Sequence, residues 1–185
     1  QTHLNLGNAL RQQEEFDAAE RHCRRALELN PRCAEAHNNL GAVFQDQGRT
    51  RDAEASFRAA IRQRPTYAQA HFNLAVVLQE LGRDEEAERH YRRALKIRPD
   101  YVQALNNLGN TLQSLGRLEE AEQSFRQALA LAPDHLAAIN NLAGVLIDRE
   151  RVDEALEQLQ RAFDVNPESA EAHQVRAEAM QRLQR

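Results

Sequence analysis

The segment that decides the fold runs from Ala34 to Pro65 and reads AEAHNNLGAVFQDQGRTRDAEASFRAAIRQRP. It ends in proline, and every proline of the chain lies 34 residues from the next. The prolines are Pro31, Pro65, Pro99, Pro133 and Pro167. Because chance does not space all the prolines of a chain in this way, the sequence is built from a 34-residue repeat.

Other columns of the repeat show what each unit contains. One column is leucine (Leu6, Leu40, Leu74, Leu108, Leu142), and the next is small (Gly7, Gly41, Ala75, Gly109, Ala143). Two columns are alanine throughout (Ala19, Ala53, Ala87, Ala121, Ala155 and Ala26, Ala60, Ala94, Ala128, Ala162), with Cys23, Phe57, Tyr91, Phe125 and Leu159 between them. In the third unit Ala70, Leu74 and Leu78 share one helical face. Each unit is therefore predicted to be a pair of helices.

Glycine marks the turn inside each pair. Gly48, Gly82 and Gly116 stand where the first helix should end, as a left-handed C-cap requires. Each proline then stops the second helix. The fifth unit has Glu150 in place of the turn glycine, so we expect a less tightly capped turn there.

The order of these columns resembles the tetratricopeptide (TPR) family. In the second unit the matching residues are His37, Leu40, Gly41, Phe44, Ala53, Phe57 and Pro65. The resemblance implies an all-α fold, a right-handed superhelical solenoid of antiparallel helix pairs. One departure is the first large position, usually Trp in the family, which is His3, His37, His71, Leu105 and Ile139 here. We interpret these histidines as half-buried packing residues.

The chain is predicted to be a single TPR array. Its units are 1–33 (truncated at the N-terminus), 34–67, 68–101, 102–135 and 136–169, followed by a capping helix at 170–185. The capping helix places Arg176 where the leucine column continues. Because the first helix has no cap, self-association through it is an expectation.

The resemblance assigns second helices to an outer face and first helices to a concave face. Glu-to-Arg pairs four residues apart lie on the outer face: Glu20 with Arg24, Glu54 with Arg58, Glu88 with Arg92, and Glu122 with Arg126. We interpret that face as a solvent-exposed surface that carries ion pairs.

The concave face carries a stripe of neutral amides. One column is asparagine in all five units: Asn5, Asn39, Asn73, Asn107 and Asn141. Beside it lie Asn38, Asn106 and Asn140, with Asn8 and Asn110 one turn on and Gln69 and Gln103 at the border. Asparagine disfavours helix by roughly 0.6 kcal/mol relative to alanine. A carboxamide can pair with both the N–H and the C=O of a peptide unit, so the stripe predicts binding of an extended peptide.

The asparagine column resembles the ladder in the TPR region of O-linked N-acetylglucosamine transferase, and the resemblance implies that it holds substrate backbones. The structural alternative is that duplication copied the asparagines and that they bond neighbouring helices. A carboxylate clamp for acidic tails does not fit, because the neighbouring positions hold Glu35, Gln69, Gln103 and Ala137. Asp46, Glu80 and Asp148 at the inner edge favour a basic ligand instead.

Composition excludes several function classes. A net charge of -4 gives no basic face for nucleic acid, and no apolar run is long enough to span a membrane. No catalytic motif, metal-ligand spacing or cofactor fingerprint is present, so we predict no enzyme activity, no metal and no cofactor. His22 and His90 are expected on the surface and His135 in a connection. Cys23 and Cys33 are predicted to be free thiols, and the protein cytoplasmic.

The predicted function is a protein–protein interaction scaffold that binds an extended peptide or partner segment in its groove. Two alternatives stay open: a substrate-recruiting arm of a larger enzyme such as a glycosyltransferase, and a self-assembling scaffold.

Overall fold

The computed structural model describes residues 2–183, which form eleven α-helices and no strand. The helices are α1 (Thr2–Gln12), α2 (Phe16–Leu29), α3 (Ala34–Asp46), α4 (Thr50–Gln63), α5 (Ala68–Glu80), α6 (Asp84–Ile97), α7 (Val102–Ser114), α8 (Leu118–Leu131), α9 (Leu136–Asp148), α10 (Val152–Val165) and α11 (Ala170–Leu183). The all-α prediction is confirmed. None of the helices in this part of the chain is long and apolar enough to cross a bilayer.

The described residues divide into two compact units, the first ending at Pro99 and the second beginning at Asp100. Helices α1–α6 build the first unit and α7–α11 the second. Within each unit every helix packs on the next in sequence, and each first helix also contacts the first helix of the following repeat. The 34-residue period therefore corresponds to one helical hairpin.

Left-handed residues make the hairpin turns possible. Gly48, Gly82 and Gly116 have φ of 71°, 70° and 74°, a region that costs a residue with a Cβ atom. The Arg49 amide then donates to the Phe44 carbonyl at 2.8 Å, which closes the end of α3. The glycine column thus acts as the predicted C-cap.

The turn of the fifth repeat is capped as closely as the others, so the expectation of a looser turn is wrong. Glu150 adopts φ of 60° despite its side chain. The Arg151 amide still donates to the Leu146 carbonyl at 2.8 Å, as the Arg117 amide does to Leu112 in the fourth repeat. The backbone hydrogen bonds hold the turn, and the residue at its apex bears the strain.

The core of each hairpin depends on one small and one large residue. Phe57 and Phe125 are fully buried and lie against the glycine of the facing helix. A Cβ atom on Gly109 would come within 2.4 Å of the Phe125 ring, and one on Gly41 within 2.7 Å of Phe57. Glycine therefore makes room for the phenylalanine ring in the second and fourth repeats, whereas the third repeat pairs Ala75 with the equally buried Tyr91.

The histidine column does more than pack. The imidazole Nε2 donates to the carbonyl of the proline six residues earlier, at 3.0 Å for His37 to Pro31 and 3.1 Å for His71 to Pro65. His173 makes the same bond to Pro167 at 3.2 Å. Each bond satisfies a carbonyl in the connection that precedes a first helix, which explains how histidine serves at a position where the family usually has Trp.

His22 and His90 are not free surface residues, so that expectation is wrong. Each stacks on the histidine of the facing first helix, with Nδ1 atoms 2.9 Å apart for His3 and His22 and 3.0 Å apart for His71 and His90. Since Nε2 of His71 donates to Pro65, its Nδ1 accepts from His90. Burial lowers the pKa of His71 and brings the pKa of His90 down to about 4, so the pair is neutral at pH 7.

Candidate functional site

Within each unit the predicted binding residues lie along the first helices, and we call these residues together the amide face. It comprises Asn5, Asn8, Asn38, Asn39, Gln69 and Asn73 in the first unit and Gln103, Asn106, Asn107, Asn110, Asn140 and Asn141 in the second. Asn5, Asn8 and Gln103 are exposed, Asn38, Asn106 and Asn140 are buried, and the rest are half-buried. The stripe is therefore not uniform in its access to solvent.

In the first unit, part of the amide face joins adjacent repeats. The Asn73 Nδ2 atom donates to the Oδ1 atom of Asn38 at 3.0 Å. The Asn73 Oδ1 atom accepts from Gln69 Nε2 at 2.9 Å. Because Asn38 is buried, this bond satisfies a carbonyl oxygen that has little access to water.

The second unit repeats the same bond in the same register. Asn141 Nδ2 donates to Asn106 Oδ1 at 3.0 Å, across 35 residues, as between Asn38 and Asn73. Asn106 also approaches Asn107 Oδ1 at 3.4 Å, a long hydrogen bond. These asparagines form part of the seam between first helices.

Other members of the amide face are open. Each seam bond joins an asparagine to the residue 35 positions before it. For Asn39 that residue is Leu4, whose side chain has no hydrogen-bond acceptor. Among the described residues, the side chains of Asn5, Asn8, Asn39 and Asn110 make no hydrogen bond. Their carboxamides keep both donors and acceptors available for a ligand.

Asn140 differs from its equivalents Asn38 and Asn106. Its Nδ2 atom donates to Glu171 Oε2 at 3.0 Å, but its Oδ1 atom, although buried, has no partner among the described residues. The residue 35 positions later, which should supply the donor, is Val175. The seam is chemically incomplete where α9 meets α11.

Comparison with known proteins identifies the repeat. Residues 1–180 match the family model of the cilia and flagella-associated protein 70 C-terminal domain, a TPR domain. The chain belongs to this TPR family. No curated protein matches it.

Solved TPR proteins share the fold. YrrB, described as a TPR protein with an unusual peptide-binding site, is 26% identical over 95% of this chain and 90% of its own, with a TM-score of 0.81. A thermophilic TPR protein from Thermus thermophilus is 27% identical over 100% of this chain and 98% of its own, with a TM-score of 0.69. PilF of Pseudomonas aeruginosa is 22% identical over 99% and 88%, with a TM-score of 0.84. These relationships support a protein-interaction scaffold with a protein or peptide as partner.

One of the three carboxylates expected at the inner edge is paired with a cation. Arg11 Nε lies 2.5 Å from Asp46 Oδ2, so that carboxylate does not repel an acidic ligand as expected. Glu80 and Asp148 instead accept from the neutral amides of Gln45 and Gln113, at 2.8 and 2.9 Å. Hydrogen bonds from amides leave their negative charges in place.

A column of arginines links the second helices of neighbouring repeats, and the sequence analysis missed it. The predicted i,i+4 pairs form, at 2.6–2.9 Å. In addition Arg83 reaches Glu54 at 2.8 Å, and Arg151 reaches Glu122 at 2.7 Å. Although partial burial pushes the pKa of Glu54 up, hydrogen bonds from Arg58 and Arg83 lower it below its ordinary value. The sequence feature that could have revealed these ion pairs is an arginine repeated every 34 residues, at Arg49, Arg83, Arg117 and Arg151.

The remaining chemistry-bearing residues have local roles. His135 precedes α9 and caps it, since its Nδ1 accepts from the Ala138 amide at 3.2 Å. Cys23 and Cys33 are free thiols, and burial raises the pKa of Cys23 to about 11, which makes it unreactive. No group of three potential metal ligands occurs within residues 2–183.

Proposed function

We propose that this TPR domain is a scaffold that binds an extended peptide through the open carboxamides of its amide face. The observation that carries the proposal is that Asn39 lies half-buried beside the buried Asn38 yet makes no hydrogen bond among the described residues. A polar group placed inside a helix at a cost in helix propensity, and left without a partner, is suited to an external one.

The chemistry of the carboxamide favours a peptide backbone as ligand. Each open asparagine offers two N–H donors and a carbonyl acceptor, which match the C=O and N–H of a peptide unit in an extended strand. Asn73 and Asn141 use one donor each in the seam and keep the second. Contacts of this kind read the backbone rather than the side chains, so we expect broad sequence tolerance.

The charged residues on the first helices favour some peptides over others. The helices α7 and α9 carry no lysine or arginine, and Asp148 keeps its negative charge. The only arginine on α1, α3 and α5 is Arg11, which is paired with Asp46. A neutral or mildly basic segment therefore suits this face better than an acidic tail. The description of YrrB, which names a peptide-binding site, supports the same class of ligand.

The test is a random-sequence peptide array probed with the wild type, with the double variant Asn5→Ala/Asn39→Ala, and with Arg24→Ala as a matched outer-face control. We expect the double variant to lose most of the bound spots and Arg24→Ala to keep them. Because the contacts are neutral, the wild-type signal should change little when the salt concentration is raised. Equal binding by the double variant, or a steep loss in salt, would contradict the proposal.

A further inference from the structure

Four neighbouring cations on the second helices of the first unit are unpaired. All four are exposed, and their side chains make no hydrogen bond or ion pair among the described residues. Arg58 and Arg92 of the same helices differ, since they pair with Glu54 and Glu88 at 2.9 and 2.8 Å. We call the four unpaired residues the cationic patch: Arg62 on α4, and Arg89, Arg93 and Lys96 on α6.

The register of the two helices brings the patch together. Its three cations on α6 recur at intervals of four and three residues, so they share one side of that helix. Arg58 on α4 reaches Glu86 on α6 at 3.1 Å, which shows that the two helices are neighbours. Arg62 follows Arg58 by one helical turn and therefore lies on the side of α4 that faces α6. Along α6 the patch spans about 10 Å, because a helix rises about 1.5 Å per residue.

The local carboxylates do not cancel the positive charge of these helices. Burial is the largest cause that lowers the pKa of His90 to about 4, and His71, Arg58 and Arg89 lower this pKa further. Glu86 acts in the opposite direction, with a smaller effect than Arg58. The field around His90 is therefore positive, which favours an anionic partner on this side of the helices.

The charge belongs to these repeats and not to the repeat pattern in general. The columns that carry the patch on α6 are also exposed in the fourth and fifth repeats, so exposure alone does not require a cation. The fourth repeat has no charge in these columns, and the fifth has two carboxylates and one arginine. The residues are Gln123, Gln127 and Ala130 in the fourth repeat and Glu157, Arg161 and Asp164 in the fifth.

We infer that the cationic patch binds a short acidic segment of a partner protein. A guanidinium group binds a carboxylate through two parallel hydrogen bonds, and three of the four cations are arginine. A span of about 10 Å accommodates about three carboxylates on one side of a partner helix. The patch lies on second helices and the amide face on first helices, so the inference does not depend on the peptide-binding proposal.

Other anionic partners fit this surface less well. The bases of a single-stranded nucleic acid stack on exposed aromatic side chains, whereas Tyr91 of α6 is buried. A longer duplex would also meet the carboxylates of Asp84 and Glu85 in the first turn of α6. Neither α4 nor α6, both of which are described in full, has an exposed large apolar side chain that could insert into an anionic membrane.

The test measures binding of a fluorescein-labelled octaglutamate peptide to the full chain by fluorescence anisotropy. We expect saturable binding that weakens when the salt concentration is raised from about 50 to about 300 mM, because the contacts are between exposed charges. Arg89→Gln/Arg93→Gln should weaken binding by roughly fivefold or more. Arg21→Gln/Arg51→Gln is the matched control: it makes the same change in net charge at exposed, unpaired arginines, and Arg51 lies about 16 Å along α4 from Arg62. The control should bind as the wild type does.

The same assay distinguishes this inference from the peptide-binding proposal. Asn5→Ala/Asn39→Ala should leave octaglutamate binding unchanged, because neither residue lies on α4 or α6. Absence of saturable binding, or equal weakening by the two arginine double variants, would overturn the inference. Tighter binding of an eight-nucleotide thymidine strand or of phosphatidylserine vesicles at equal salt would also overturn it. So would self-association of the wild type at low salt that Arg89→Gln/Arg93→Gln abolishes, since the occupant would then be a second copy.

Discussion

Three of the differences between the fourth and fifth repeats show which changes a repeat can accommodate by itself. The turn residue is Gly116 in one and Glu150 in the other, yet both take a left-handed φ and keep the same hydrogen bonds. The pair inside the hairpin changes from Gly109 with Phe125 to Ala143 with Leu159.

The third difference is the seam, where Asn106 has a donor and Asn140 Oδ1 has none among the described residues. Turn and core changes are compensated within the repeat, but the seam depends on what the next helix supplies. A repeat of this kind therefore stabilises its own hairpin, whereas the seam between first helices is complete only when the next helix supplies a hydrogen-bond donor.

The largest effect should come from breaking the core pair of the fourth repeat. Gly109→Ala brings a Cβ atom to 2.4 Å from the buried Phe125 ring, and we expect a loss of about 2–3 kcal/mol in unfolding free energy, measured by urea denaturation. Gly144→Ala is the matched control, since a Cβ atom there meets nothing within 4 Å, and it should be neutral or stabilising.

A second substitution tests whether the core pair of the fifth repeat can replace that of the fourth. Adding Phe125→Leu to Gly109→Ala recreates the alanine and leucine pair of the fifth repeat. We expect it to recover part of the lost stability, because the smaller side chain removes the clash. A double variant less stable than Gly109→Ala alone would show that the two repeats are not interchangeable at this point.

A smaller effect should follow from making the fourth repeat resemble the fifth at its seam. Asn141→Ala removes the donor to the buried Asn106 carbonyl oxygen, and we expect a loss of about 1–2 kcal/mol. Asn110→Ala makes the same chemical change where the side chain has no hydrogen bond among the described residues. Thermal unfolding that ranks Asn110→Ala as the more damaging change would refute the assigned role of the seam.

The smallest effect concerns the turn. Glu150→Gly removes a side chain from a left-handed position and should raise the unfolding free energy by about 1 kcal/mol. Gly116→Ala should lower it by a similar amount. Urea midpoints that move in the same direction for both variants would contradict the claim that the two turns share one conformation.

The sequence allowed the hairpins to be predicted because their determinants are local. Proline, glycine and alanine each act within one repeat, and their spacing appears directly in the columns. The His71 and His90 pair escaped prediction because it joins two helices through residues 19 apart, although His3 and His22 repeat that spacing.

Which asparagines of the amide face are open could not be read from their own column. Asn39 is open and Asn73 is bonded, because the first faces Leu4 in register and the second faces Asn38. The status of each carboxamide depends on a residue 35 positions away. The missing donor to Asn140 could have been predicted from the sequence, because Val175 stands at the position where the asparagine column ends.

The central claim is that neighbouring carboxamides of the amide face divide two tasks, joining repeats and contacting a ligand. Asn38 and Asn39 are adjacent on α3 and allow one matched measurement, in which calorimetric titration with an array-selected peptide is combined with urea unfolding of Asn38→Ala and Asn39→Ala. We expect Asn39→Ala to weaken peptide binding without lowering the urea midpoint, and Asn38→Ala to lower the urea midpoint. An Asn39→Ala variant that binds the peptide as tightly as the wild type would contradict the account.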